Sequence, residues 1–294
     1  MQKLHKHSYT GYVYILPWLL GFLVLQFVPL LNSFWYSFTD FQLLGKAKFV
    51  GLANYIRIFT ADATFLQSLK VTFYYVLMAV PCKIAFALII AMVLNQKIRG
   101  INLFRTLYYI PSILGGSVAI SVLWKYLFMS QGIVNNLLGA IGIAPHNWLG
   151  NPDLALGTIS LVTIWQFGSS MLLFLAGLKQ IPECLYEAAM IDGSGKFRTF
   201  WKITLPELSP ILLFNLIMQM INAFQEFTPA FVITQGGPLK STYLYGLMLY
   251  DQGFKFFRMG YSSALSWILF AIIMIFTSLT FKSSQSWVHY GDTL

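Results

Sequence analysis

The stretch Glu187-Ala188-Ala189-Met190-Ile191-Asp192-Gly193, continued by Ile203-Thr204-Leu205-Pro206, is the polar interruption around which the rest of this chain is ordered. It carries Glu187 and Asp192 and then Lys196, Arg198 and Lys202, in a chain of which only 10% is charged. Leu185 to Ala189 is predicted to form a short helix, since Leu, Ala and Glu are good helix formers. Gly193 supplies the backbone freedom for a sharp turn. A second amphipathic piece is expected over Lys196 to Ile203, and Pro206 suits the first turn of the next helix. The shape implied is a helix–turn–helix knob at a membrane surface. On composition alone, an ordinary polar loop between two spans is the better-supported reading.

Outward from the knob the chain is apolar in both directions. At 57% hydrophobic and 17% aromatic over 294 residues, it is not a soluble protein. Uncharged runs near the length that crosses a bilayer recur throughout, and in hydrocarbon such runs must be helices, because each backbone polar group has to be paired within its own segment. Six spans are expected at about 12–38, 69–94, 103–128, 155–178, 208–233 and 261–281, with the knob as a loop at 179–206. The first run is long and lacks a small-residue cleavage site, so it is read as a retained span rather than a signal peptide. Pro17 and Pro29 are expected to kink it.

The net charge of +9 suits basic residues on cytoplasmic loops better than nucleic acid. With both termini inside, ten Lys and Arg fall on the cytoplasmic side and seven outside, and the cytoplasmic segments are much the shorter. The knob is then cytoplasmic. Cys82 and Cys184 form no disulfide framework. Lys83, inside the second run, either faces a cavity or partner or snorkels toward the surface. No phosphate loop, zinc-protease motif or nucleophile elbow is present in the sequence, and with only four histidines no metal site is expected.

Polar residues within the spans align at helical spacing. In the fifth they are Asn215, Gln219, Asn222 and Glu226, at steps of four, three and four, which puts them on one face of a continuous helix. In the fourth they are Thr163, Gln166 and Ser170; in the third, Tyr108 and Ser112 lie one turn apart. Such faces either join helices by hydrogen bonds or line a watery path. Interhelical bonding accounts well for Ser and Thr but poorly for Glu226, whose carboxylate needs water or a partner. The glycines Gly115 and Gly116 are read as close-packing residues.

The spacing Glu-Ala-Ala, three residues, Gly, nine residues, Ile, one residue, Leu-Pro resembles the EAA loop of bacterial ABC importer permeases, with every fixed position present from Glu187 to Pro206. Gly51-Leu52-Ala53-Asn54-Tyr55 after the first span and Thr234-Gln235-Gly236-Gly237-Pro238 after the fifth are similar to further signatures of the carbohydrate-uptake permeases of the maltose and glycerol-phosphate type. The resemblance covers nearly the whole chain. It implies a single transmembrane permease domain over 1–294: an all-α membrane protein of six transmembrane helices with a cytoplasmic coupling-helix loop between the fourth and fifth. It implies ATP-driven import of a sugar, an oligosaccharide, by alternating access at the bacterial plasma membrane. The partners it implies are a second permease subunit, two ATP-binding subunits that carry out the hydrolysis, and an extracellular sugar-binding protein. The chain itself is then neither an enzyme nor a holder of cofactors. Aligned through the Glu-Ala-Ala and Gly-Gly-Pro landmarks, the substrate positions are Tyr108, Ser112, Thr163, Gln166, Ser170, Gln219, Asn222 and Glu226; several differ in type from the maltose pattern, Glu226 in particular. Glu187, Ala188, Ala189, Asp192 and Gly193 would dock on the ATPase. The competing reading is a self-contained secondary transporter or channel for a small polar solute, in which the knob is a plain loop.

Overall fold

The computed structural model describes residues 10–42, 45–96 and 99–289. Helix α1 (Thr10–Phe22) runs through a π-helical turn, Leu23–Phe27, into α2 (Val28–Ser37). The wider turn sits just ahead of Pro29, where a proline removes a backbone donor, and the apolar helix continues over Tyr12–Ser37. The loop that follows contains α3 (Ala53–Thr60), and the long helix α4 covers Ala63–Leu94. Next come α5 (Ile101–Leu114), α6 (Val118–Leu127), α7 (Ile133–Ala140), α8 (Pro152–Trp165) and α9 (Gly168–Leu178). The knob holds α10 (Glu183–Ile191), α11 (Lys196–Thr199), a π-helical turn Phe200–Thr204 and α12 (Leu205–Glu207). Beyond it lie α13 (Ser209–Phe224), α14 (Tyr245–Tyr250) and α15 (Met259–Ser284). Among the described residues the only β pairing is an isolated bridge between Thr39 and Phe49.

Three helices are long and apolar enough to cross a membrane on their own: Tyr12–Ser37, Ala63–Leu94 and Met259–Ser284. Three more spans come from bent pairs if each pair is counted as one: α5 with α6 at 105°, α8 with α9 at 48°, and Lys196–Glu207 with α13 at 68°. The expected third span is therefore two helices with Gly115 and Gly116 at the corner: Gly115 is the close-packing residue it was expected to be, whereas Gly116 meets no neighbour and has φ +67, a conformation only glycine adopts freely. The fifth span differs too. Its helix ends at Phe224, so Glu226 stands in the turn beyond the helix and not on its polar face. Pro210, not Pro206, opens the long helix of that span.

The helices gather into two units, one of the chain up to Asp62 with Leu249–Phe270, the other of Ala63–Met248 with the chain from Ala271. In the first, Asn54 donates to the carbonyls of Ser37 (2.8 Å) and Thr39 (2.9 Å), and Tyr55 Oη donates to Ser37 Oγ (2.8 Å). These bonds tie the end of α2 to the start of α3 and account for the Asn and Tyr of the Gly51–Tyr55 signature. Tyr261 Oη donates to Asp62 at 2.6 Å beneath the Arg57 guanidinium.

The second unit is built on one face of α4: Val71, Thr72, Tyr75, Val76, Ala79, Val80, Lys83, Ile84, Ala87 and Ala91 recur every three or four residues and are buried. That face packs along α8, α9 and α13, where the alanines allow close approach. Segments expected to be external loops are structured: 129–154 contains α7, and 240–260 contains α14, whose Tyr245, Leu247 and Met248 are buried.

Candidate functional site: a helix crossing and a docking knob

The knob is closed by hydrogen bonds that need Gly193. Its N–H donates to Met190 O (3.1 Å), and Ser194 N–H donates to Ala189 O (2.8 Å), with Gly193 at φ +70. This is the Schellman arrangement, in which a left-handed residue just past the helix satisfies its last carbonyls. A side chain at Gly193 would meet nothing within 4 Å, so the demand for glycine comes from the backbone alone. Glu187, Ala188 and Asp192 are exposed beside Met190 and Ile191, which are 78% and 87% exposed, while Ala189 is buried. Phe197 and Trp201 add two more exposed rings. Exposed apolar groups of this size, ringed by charge, mark an interaction surface.

In the second unit the corners of two bent spans cross. Ser112, near the end of α5, donates from Oγ to Gln166 O (3.0 Å) and accepts from Ser169 N–H (3.0 Å), so one hydroxyl bridges the break between α8 and α9. Gly168 lies so close to α5 that a Cβ would come within 2.5 Å of Tyr108 O, and a Cβ on Gly115 would meet Gln166 Oε1 at 2.7 Å. Phe167 fills the crossing, with its ring 5.9 Å from Tyr108 and 4.7 Å from Phe86. Ser112→Ala removes both bonds and leaves two backbone groups without their partner. A net loss of about 2 kcal/mol is expected at roughly 1 kcal/mol per bond, read as a lower thermal midpoint of the purified protein; Ser112→Thr, which keeps the oxygen, is expected to lose less.

Further along α4 is a buried polar chain. Tyr75 Oη and Thr163 Oγ1 share a hydrogen bond of 2.6 Å, Thr163 Oγ1 donates to Glu226 Oε2 (3.4 Å), and Phe227 N–H donates to Glu226 Oε1 (3.2 Å). Lys83 is only 8% exposed, and no ion pair joins it to Glu226 among the described residues. Its side chain lies on the packed face of α4 and does not snorkel out of it.

The eight sequence-predicted residues therefore divide. Tyr108, Ser112 and Gln166 meet at the crossing, and Thr163 and Glu226 meet in the buried chain. Ser170 is fully buried, and its hydroxyl has no partner among the described residues. Gln219 is buried, Asn222 is exposed, and the buried Asn215 donates to Ile211 O at 3.2 Å. Tyr75 was missed by the sequence reading; its only signal is a position two turns before Lys83 on the same packed face. Among the described residues no group of His, Cys, Asp and Glu side chains could hold a metal ion.

This architecture has relatives. Residues 58–289 match the family described as "binding-protein-dependent transport system inner membrane component". A probable ABC transporter permease of Bacillus subtilis, YesP, is 47% identical over 98% of this chain and 94% of its own length. The trehalose/maltose transport system permease MalF of Thermococcus litoralis is 34% identical over 95% of this chain and 94% of its own. A bacterial ABC transporter involved in import of the acidic polysaccharide alginate has a chain of the same fold, with a TM-score of 0.80 at 21% identity over 95% of this chain and 96% of that one. The knob, the six apolar stretches and these matches agree: the chain belongs to the inner-membrane permeases of binding-protein-dependent ABC transport systems.

Proposed function

We propose that the chain is the permease through which an ATP-driven importer moves a sugar, an oligosaccharide, into the cell by alternating access. The observation that carries the reading is the pairing of an exposed apolar knob with a crossing of two bent spans, in a chain whose relatives include permeases named for trehalose and maltose, arabinooligosaccharides and lactose, beside one named for glycerol 3-phosphate. Tyr108, Ser112, Thr163, Gln166, Ser170, Gln219, Asn222 and Glu226 line or support the path. Ser112 acts by holding Gln166 in place. Amides, hydroxyls and a carboxylate suit the hydroxyls of a sugar. Glu187, Ala188, Ala189, Asp192 and Gly193 form the ATPase-facing knob. The working assembly contains a second permease, a different chain, with two ATP-hydrolysing subunits and an extracellular binding protein. Both termini and the knob lie in the cytoplasm, and ATP is bound by the partners alone.

The assembly purified from native membranes and reconstituted in vesicles tests this reading. Accumulation of a labelled oligosaccharide is expected only with the binding protein outside and ATP inside. Accumulation that needs neither would replace the importer by a self-contained transporter.

A further inference from the structure

Between α6 and α8 the chain builds a walled pocket. Asn135, buried, donates to Ser130 O (3.0 Å) and His146 O (2.9 Å) and accepts from His146 N–H (3.0 Å) and Trp148 Nε1 (2.9 Å). One side chain thus fixes both sides of the loop. Gly132 turns the chain tightly against α6, where a Cβ would come within 2.4 Å of Leu127 O. The result is a cavity of about 530 Å3 lined by Tyr126, Phe128, Ser130, Gln131, Asn147 and Leu149, among others. Its volume falls among small-ligand sites, which run roughly 300–1,000 Å3. Tyr126 is 65% exposed. No lining side chain carries a charge at neutral pH.

From the cavity wall a row of rings runs to the crossing. Phe128 lies 5.7 Å from Trp124, which lies 5.4 Å from Trp165, the residue directly before Gln166. A pyranose or furanose unit has an apolar C–H face and a rim of hydroxyls. Uncharged amides and a hydroxyl beside the exposed ring of Tyr126 meet both halves of it.

We propose that this cavity is an outer subsite for an uncharged unit of an oligosaccharide, which it holds while another unit occupies the crossing at Gln166. The inference rests on the sugar reading above, and on the placement of this loop outside the cell. Because the cavity and the crossing are separate, its contribution grows with chain length.

The test is transport by the reconstituted complete assembly, with two series of labelled probes: maltose to maltohexaose, and arabinobiose to arabinohexaose. In the series that the wild type carries, the ratio of kcat/KM for the tetrasaccharide to that for the disaccharide is expected to fall about tenfold in Tyr126→Ala, equivalent to about 1.4 kcal/mol. Tyr126→Trp restores the ratio, and Gln131→Ala lowers it by a smaller factor. An unchanged ratio overturns the subsite, even where every length is slowed alike, since that pattern reports docking of the binding protein or a folding defect. A wild type that carries neither series overturns the sugar reading, and the subsite with it.

Discussion

Gly193→Val is expected to leave a chain that inserts in the membrane yet no longer retains the ATPase subunits on purification, with ATP-driven uptake reduced at least fivefold. The cause is conformational and local. At φ +70 an L-residue is crowded by its own backbone at a cost of roughly 1–2 kcal/mol, and more for a β-branched one. No neighbour lies within 4 Å of the new side chain, so packing is not disturbed. A cost of this size shifts the population of the closed turn by a factor of about 5–30. The exposed pair Met190–Ile191 then no longer stands in a fixed relation to Phe197 and Trp201. Gly193→Asn is the control: asparagine tolerates the left-handed region, so most ATPase association is expected to return. Equal loss in both variants would mean that the turn matters by contact and not by shape.

Glu226→Gln is expected to abolish uptake, because the amide cannot bring the carboxylate's charge to the polar chain with Thr163 and Tyr75. Glutamine keeps one acceptor oxygen, for Phe227 N–H, and turns its amide N–H toward Thr163 Oγ1, which must then accept instead of donate, so the change removes the charge and reverses one hydrogen bond. Lys83, on the packed face of α4, is the buried cation against which this charge is tested. Adding Lys83→Met should raise the thermal midpoint above that of the single variant, since it removes a buried ammonium, while uptake stays absent. If the double variant is no more stable than the single, the two charges do not act on one another. Normal uptake by Glu226→Gln would remove Glu226 from the path.

The knob was readable in the sequence because its constraint is local: a helix, a left-handed turn and a second helix leave a fixed spacing of Ala, Gly and Pro. The apolar runs were readable for a similar reason, since a bilayer imposes length and composition together. The breaks within the runs were not. Hydropathy continues unchanged across Gly115–Gly116 and across Gln166–Phe167, and glycine in an apolar run looks the same whether it packs or bends. Glu226 was placed on a helical face by a periodicity that assumes the helix continues, whereas the helix stops at Phe224. Tyr75 escaped notice because a tyrosine among apolar residues reads as filler until Thr163 is seen 2.6 Å away. Asn135 was equally silent, since its role depends on residues 5 to 13 positions distant folding back on it.

The bond from Ser112 to the break of its neighbouring span bears on how chains of this kind can be recombined. A chimaera that imports residues 152–178 from a homologue brings in a corner cut to fit a different Ser112, Gly115 and Tyr108. Such a swap should misfit even when each transplanted span is sound in its parent. It should succeed when 108–116 travels with it. The exchangeable module in this molecule is a pair of corners, not a single transmembrane segment.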